Sequence, residues 1–322
     1  MHYAWGGELP YYSYHQYLQN TFGHQVRKLP VDAGFTCPNR DGTVGVGGCT
    51  FCLNEAFAPG YCDSRHSITQ QVNDGIAFHA QRRRPIDKFF IYFQSFSNTY
   101  APLELLKERI EEALAIPDVQ GIIIATRPDC LPEEVLDYLA ELQERTYLCV
   151  EIGIESLHDN TLQRINRGHG VACTMQAINA LAKRHIHTSG HFVFGLPGES
   201  PEDWIRDALT INDLPLSTIK LHQLQILQNT PIAVEYETCP HDFHHFSATE
   251  YIVFLADFIE RLNPEVAIER FANEVPPRYL VAREWNGIRH QDIVDGVCQL
   301  LQKRDSWQGK KQDLENSGYD SF

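Results

Sequence analysis

Residues 35–52 read FTCPNRDGTVGVGGCTFC, and three cysteines in this stretch, Cys37, Cys49 and Cys52, decide how the rest of the chain is read. Three thiolates hold a cubane iron-sulfur cluster at three irons, whereas an electron-transfer cluster normally takes four protein ligands. The missing fourth ligand leaves one iron open to a substrate or cofactor. Glycines at 42, 45, 47 and 48 allow positive φ and a close backbone approach, and the pair at 49 and 52 puts two sulfurs on one tight turn. A zinc site is the competing reading. A closed structural zinc centre wants four ligands, and His66 is the nearest candidate for the fourth after the pair.

Working outward, five further motifs follow in order: YFQSFSNT at 92–99, IATRPD at 124–129, EIGIES at 151–156, RINRGH at 164–169 and GLPGE at 195–199. With the cysteines, they make the chain resemble the radical S-adenosylmethionine (SAM) superfamily, in the branch with a widened first cysteine spacing that holds the YhcC-type proteins and, more distantly, the catalytic subunit of Elongator. The resemblance covers most of the chain. It implies a 4Fe-4S cluster on Cys37, Cys49 and Cys52, whose open iron chelates SAM. Reductive cleavage then gives methionine and a 5′-deoxyadenosyl radical that abstracts hydrogen from substrate.

Periodicity supplies the fold independently. Apolar, β-rich runs at 25–31, 89–94, 121–125, 147–154, 188–194 and 217–226 alternate with helical patterns at 67–84, 103–116, 132–145, 171–184 and 201–214, the signature of parallel β/α units. Pro132 and Pro201 suit first helical turns, and the acidic residues after them complement the helix dipole. The expected fold class is α/β, an incomplete six-stranded (β/α)6 parallel barrel with a small C-terminal α+β unit. In such a barrel the active site lies at the C-terminal ends of the strands. The expected divisions are an N-terminal extension over 1–19, the barrel over 20–235, a C-terminal unit over 236–304 and a mobile tail over 305–322. Within the C-terminal unit, 247–262 and 288–303 read as helices and 265–271 as a strand.

The resemblance also implies roles for single residues. Phe51 lies between two cluster ligands and shields the site. Gln94 and Ser95 stand where relatives carry a glycine-rich turn for the SAM amino group; this chain departs by having no glycine there, so their side-chain oxygens are the expected acceptors. Ser97 or Asn98 alternatively caps the helix near Leu103. Glu155, assisted by Ser156, is placed at the ribose hydroxyls. Arg167 aligns with the arginine that pairs with the SAM carboxylate, and Gly195 and Pro197 belong to the turn beside the adenine.

Substrate contacts are expected from Arg127 and Asp129, which alternatively pair with one another or cap the helix at Pro132. His169 and His222 are candidates for proton handling, against the plain reading of structural histidines. Arg270, Arg278 and Trp285 are candidates for covering a substrate, with Trp285 as a stacking surface or else a packing residue.

Composition bounds the setting. The chain has 322 residues, 43% of them apolar, and ample material for a core. Nine cysteines, no secretory apolar segment and no membrane-length apolar run point to a reduced cytoplasm and no membrane partner. Cys62, Cys130, Cys149, Cys173, Cys239 and Cys298 stand singly and read as small buried residues. A formal net charge of −15 excludes broad, non-specific attraction to a nucleic-acid backbone but not a local groove. Arg82-Arg83-Arg84 and Lys310-Lys311 are the basic spots, read as solvated surface.

The expected function is a radical SAM enzyme, supplied with electrons by a donor such as flavodoxin or ferredoxin, that alters a tRNA wobble-uridine side chain. A small-molecule radical enzyme resembling the oxygen-independent coproporphyrinogen oxidases is the alternative within the class. Outside it stands a non-catalytic carrier of a cluster or heme.

Overall fold

The structure, a computed structural model, describes residues 3–83, 86–281, 285 and 287–312. Seven strands are present among the described residues: β1 (Arg27–Val31), β2 (Phe89–Phe93), β3 (Val119–Thr126), β4 (Tyr147–Glu155), β5 (His187–Phe194), β6 (Thr218–Gln223) and β7 (Ala267–Arg270). Ten helices accompany them among the described residues: α1 (Tyr14–Phe22), α2 (Ile68–Gln81), α3 (Leu103–Leu114), α4 (Glu133–Gln143), α5 (Asp159–Arg164), α6 (Val171–Ala182), α7 (Pro201–Asn212), α8 (Pro231–Thr238), α9 (Ala248–Ile259) and α10 (His290–Lys303). Strand order follows the chain from β1 to β7, and the class is the α/β incomplete parallel barrel. None of the described helices is long and apolar enough to cross a membrane.

The chain divides into two compact units, one of residues 24–154 with 165–189, the other of 1–23, 155–164 and 190–322. In the first, β1 to β4 pair in parallel, each with the next. Parallel neighbours need long crossovers, and here α2, α3 and α4 provide them. Strands covered on both faces carry continuous apolar runs rather than alternation. Accordingly Phe90, Ile91, Phe93, Ile122, Ile123, Ile124, Val150 and Ile152 are buried. Glu151 breaks the apolar run in β4, and Lys28 of β1 meets it at 2.6 Å.

In the second unit β7 pairs in parallel with β6, so the strand expected near 265–271 adds a seventh member to the six expected. The N-terminal residues belong with it. Ser13 bridges Ile268, Ile268 N donates to Tyr12 O at 2.8 Å, and Tyr11 packs 4.8 Å from Phe271. Ser13 also caps α1. No reading of 1–19 as an extension anticipated α1, because its pattern is polar and short.

Three expectations need correction. Residues 305–312 are not a free tail: Gln308 N donates to Pro10 O at 2.9 Å, its amide to Asn263 O and Val266 O at 2.7 and 2.8 Å, and Lys311 pairs with buried Glu260. Polar residues fasten this segment, so hydropathy could not show it. Residues 313–322, like Arg84, lie outside the described part. Neither Ser97 nor Asn98 caps α3, whose N-cap is Pro102 without a side-chain bond; Asn98 instead donates to the carbonyls of Phe93, Ser95 and Ala125 at 2.9–3.0 Å. Pro132 is the N-cap of α4 rather than a residue of its first turn, and Asp129 does not cap that helix.

Candidate active site

The cysteine loop follows β1 and is built by its own backbone. Arg40 N donates to Cys37 O at 2.8 Å, Val44 N to Pro38 O at 2.8 Å, and Gly48 N to Asn39 O at 2.7 Å. Gly47 and Gly48 follow one another at φ 83° and 84°, a left-handed pair that side chains rarely adopt. A Cβ on Gly48 would also meet Arg40 Nε at 3.0 Å. The 49–52 turn closes through Cys52 N to Cys49 O at 3.0 Å, and Thr50 N anchors it to Ile165 O at 3.0 Å.

Polar donors converge on two of the three sulfurs. Arg40 Nη2 lies 3.4 Å from Cys52 Sγ and 3.2 Å from Cys52 O, with its guanidinium 5.6 Å from the Phe96 ring centroid. Arg167 Nη1 lies 3.4 Å from Cys49 Sγ, and its Nη2 donates to Gly153 O at 2.5 Å. Asn39 Nδ2 is 3.8 Å from Cys49 Sγ and also donates to Asn166 O. Burial raises the Cys52 thiol, as does the neighbouring Cys49, while Arg40 and Arg167 pull against the rise. Three thiols on one loop, two of them facing cationic N–H donors, have the chemistry of thiolate ligands, since hydrogen bonds to sulfur stabilise the charged form, although among the described residues no three such side chains are already gathered around a metal position.

Beside the loop, after β3, Arg127 grips Asp129 through Nε to Oδ1 at 2.9 Å and Nη2 to Oδ2 at 2.7 Å. This is the pairing alternative raised from the sequence. Burial alone would raise the Asp129 carboxyl, but Arg127 outweighs it and holds it below the usual range. His169 is pulled well below the ordinary histidine range by burial and then by the Arg167 charge, so its imidazole is neutral. Asp129 also lines a cavity of about 860 Å³ with Thr36, Tyr100, Pro128, Cys130 and Cys173 among its walls. That volume is of small-molecule size. Burial pushes the Cys130 thiol up to about 12, with the Asp129 charge adding to it. Of the other expected contacts in this unit, Ser95 is buried, whereas Phe51 and Gln94 are half-buried.

In the second unit, Glu155 ends β4 at φ 70°, an uncommon conformation for a side-chain-bearing residue. Ser156 next to it donates to Glu199 Oε1 and accepts from His158 N at 3.0 Å, and Glu199 takes a second bond from the Trp204 indole. Burial raises the Glu199 carboxyl, against these donors. Gly195 sits at φ 95°, where a Cβ would meet His244 O at 3.2 Å. Pro197 follows in the same turn, and Gly198 N closes it on Asp242 O at 3.0 Å.

The remaining candidates of this unit are engaged locally. His222 lies 5.7 Å from the His191 ring, Arg270 Nη1 donates to Asn273 Oδ1 at 3.1 Å, and Arg278 lies over Tyr279 at 4.9 Å. The Trp285 indole donates to Phe246 O at 2.9 Å, and its ring packs 5.2 Å from Tyr251, which is the packing alternative.

One pH dependence follows here. His158 Nε2 lies 3.1 Å from Asp207 Oδ2, and this bond raises the imidazole above its ordinary value of 6.5. A raised histidine contributes stability that is fully present below 6.5 and lost as pH rises through the raised value. Urea midpoints measured across that window are expected to fall for the wild type and to flatten for His158→Gln.

Sequence reading missed Asn39, Arg40 and Glu199. The first two sit inside the cysteine stretch as polar donors next to ligands, which was a usable signal; nothing local marks Glu199 as the acceptor for Ser156 and Trp204.

The profile of the radical SAM superfamily matches residues 37–211, more than half of the chain, and that of the radical SAM C-terminal domain matches 216–298. The chain belongs to the radical SAM superfamily. It is similar to the protein YtqA of Bacillus subtilis, 38% identical over 303 residues that cover 94% of this chain and 93% of that one. It is 32% identical to YhcC of Escherichia coli over 279 residues, 86% of this chain and 88% of that one. It is also 23% identical to a tRNA uridine(34) acetyltransferase of Methanocaldococcus infernus over 216 residues, 63% of this chain but 38% of that protein. The structure of the archaeal Elp3 of the same organism superposes with a TM-score of 0.66 at 17% identity, covering 88% of this chain and 64% of that one. That likeness shows the fold. Membership of the superfamily makes the chain an enzyme and implies a 4Fe-4S cluster and SAM.

Proposed function

We propose that the enzyme modifies the C5 substituent of a tRNA wobble uridine. The observation that carries this reading is the similarity to a tRNA uridine(34) acetyltransferase, supported by the three-cysteine loop and its cationic donors. In this reading Cys37, Cys49 and Cys52 ligate the cluster, and Arg40 and Arg167 steady two of the thiolates. The bound group supplies a 5′-deoxyadenosyl radical from SAM for hydrogen abstraction. Phe51, Gln94, Ser95, Arg167, Glu155, Ser156, Gly195 and Pro197 are the proposed SAM contacts, with Ser156 held in place by Glu199. Arg127 and Asp129 are proposed substrate contacts, as are His222, Arg270 and Arg278, whereas Trp285 keeps its packing role. A base must leave its stack before buried chemistry can reach it, and arginine planes suit holding it. A flavodoxin- or ferredoxin-class donor supplies the electron.

Loss of the Glu155 carboxylate by Glu155→Ala is expected to cost about 1.5–3 kcal/mol of SAM binding, read by calorimetry on reconstituted protein. The substrate is tested by mass spectrometry of tRNA nucleosides, after incubation with enzyme, SAM and reductant and in a deletion strain against its parent. A changed wobble uridine is expected. Unchanged uridines, with 5′-deoxyadenosine formation responding instead to a metabolite extract, would overturn the assignment to tRNA.

A further inference from the structure

Arg127 is 3% exposed, and its guanidinium is only half used. Asp129 takes the side formed by Nε and Nη2, whereas Nη1 is buried with no hydrogen-bond partner among the described residues. A guanidinium has five N–H donors in a fixed plane, so the side-on pair with Asp129 leaves an end-on fork of Nη1 and the second Nη2 hydrogen. A buried donor left unmet is costly, and the matching acceptor for a planar fork is a carboxylate.

The surroundings keep that fork in place. Asp129 fixes the plane of the guanidinium from behind. Gly168, at φ 79°, lies beside the guanidinium: a Cβ there would stand 3.4 Å from Arg127 Nη2 and 2.7 Å from Val44 Cγ1. The nearby Arg167 is engaged with Cys49 and Gly153 O. His169, in the same cluster, also carries a buried unpartnered atom, Nε2, which as a neutral imidazole nitrogen complements an N–H or O–H of the same ligand.

We infer that the end-on fork of Arg127, oriented by Asp129, is the seat of a ligand carboxylate beside the cysteine loop. Two ligands can bring that group: the methionyl end of SAM, and a uridine whose C5 substituent carries an acid. The second rests on the tRNA reading above; the first does not.

The test uses anaerobically reconstituted protein, wild type, Arg127→Gln and Arg127→Lys, the lysine variant keeping the charge while losing the fork. In the first arm, calorimetry compares SAM with decarboxylated SAM. If SAM brings the carboxylate, the preference for SAM over decarboxylated SAM is larger in wild type than in either variant by roughly 10- to 100-fold, the difference lying in weaker SAM binding alone. In the second arm, 5-carboxymethyluridine is compared with its methyl ester; a preference for the free acid that both variants lose assigns the seat to substrate. An acid preference that both variants leave unchanged in each arm, or variants that alter only the reduction potential and EPR signal of the cluster, would overturn the inference. Unchanged tRNA nucleosides alongside a positive SAM arm would sink the tRNA reading and leave the seat standing.

Discussion

Replacing Cys37, Cys49 and Cys52 together with alanine is expected to abolish iron and sulfide incorporation, the EPR signal of the reduced protein and 5′-deoxyadenosine formation. The expectation rests on the loop as it folds. In its backbone Arg40 N donates to Cys37 O and Cys52 N to Cys49 O, and Arg40 and Arg167 point N–H groups at two of the sulfurs. None of those backbone bonds needs a thiol, so the triple variant is expected to fold and to lose the cluster only. Cys62→Ala is the control. Its thiol faces Pro30 O at 3.2 Å and is pushed up to about 12 by burial and then by the Asp32 charge, the behaviour of a protonated structural cysteine. That variant is expected to reconstitute fully. A triple variant that retained the same EPR signal would end the three-cysteine assignment.

The largest stability effect is expected at Gly121, in β3. A Cβ there would stand 2.3 Å from Tyr147 O and 2.8 Å from Tyr147 Cβ on the paired strand. A backbone carbonyl in a parallel ladder cannot step aside as a side chain does. The strands must separate locally, where β2 and β3 already shift register between Phe89 and Phe90. Gly121→Ala is expected to cost about 3 kcal/mol, the upper part of the range for overpacked cores, read as a shift in the urea midpoint at unchanged slope. Gly60→Ala, where nothing lies within 4 Å of the new Cβ, is expected to stay within about 0.5 kcal/mol. Equal midpoints for the two variants would refute the close approach of β3 and β4 at Gly121.

The strands and helices of repeated β/α units were legible because each buried run is long, apolar and rich in β-branched or aromatic residues, as in FFIYF of β2 and GIIIAT of β3. Their boundaries moved by a few residues, since periodicity fades where turns begin. Helices α1, α5 and α8 escaped notice. Two of them, α5 and α8, run for only 6 and 8 residues, too short to show a repeat, while α1 has a polar pattern with two buried positions.

By itself, the sequence determined the family, through the spacing of Cys37, Cys49 and Cys52 and the order of the motifs behind them. It also determined the parallel α/β class, because both depend on residue type and local repetition. Partnership was decided only in three dimensions. Arg167 aligned with a SAM-binding arginine, yet one of its nitrogens faces the Cys49 sulfur. Arg127 and Asp129 had three possible partners and chose each other. Glu199 became the acceptor for Ser156, 43 residues earlier. The segment 305–312 looked like a tail until Pro10, Asn263 and Val266 bonded to Gln308. Each is a choice among polar groups with similar local propensities. Burial makes an unmet hydrogen bond costly, so the selection among them is made by which groups the packed strands bring within 3 Å, a distance no local pattern encodes.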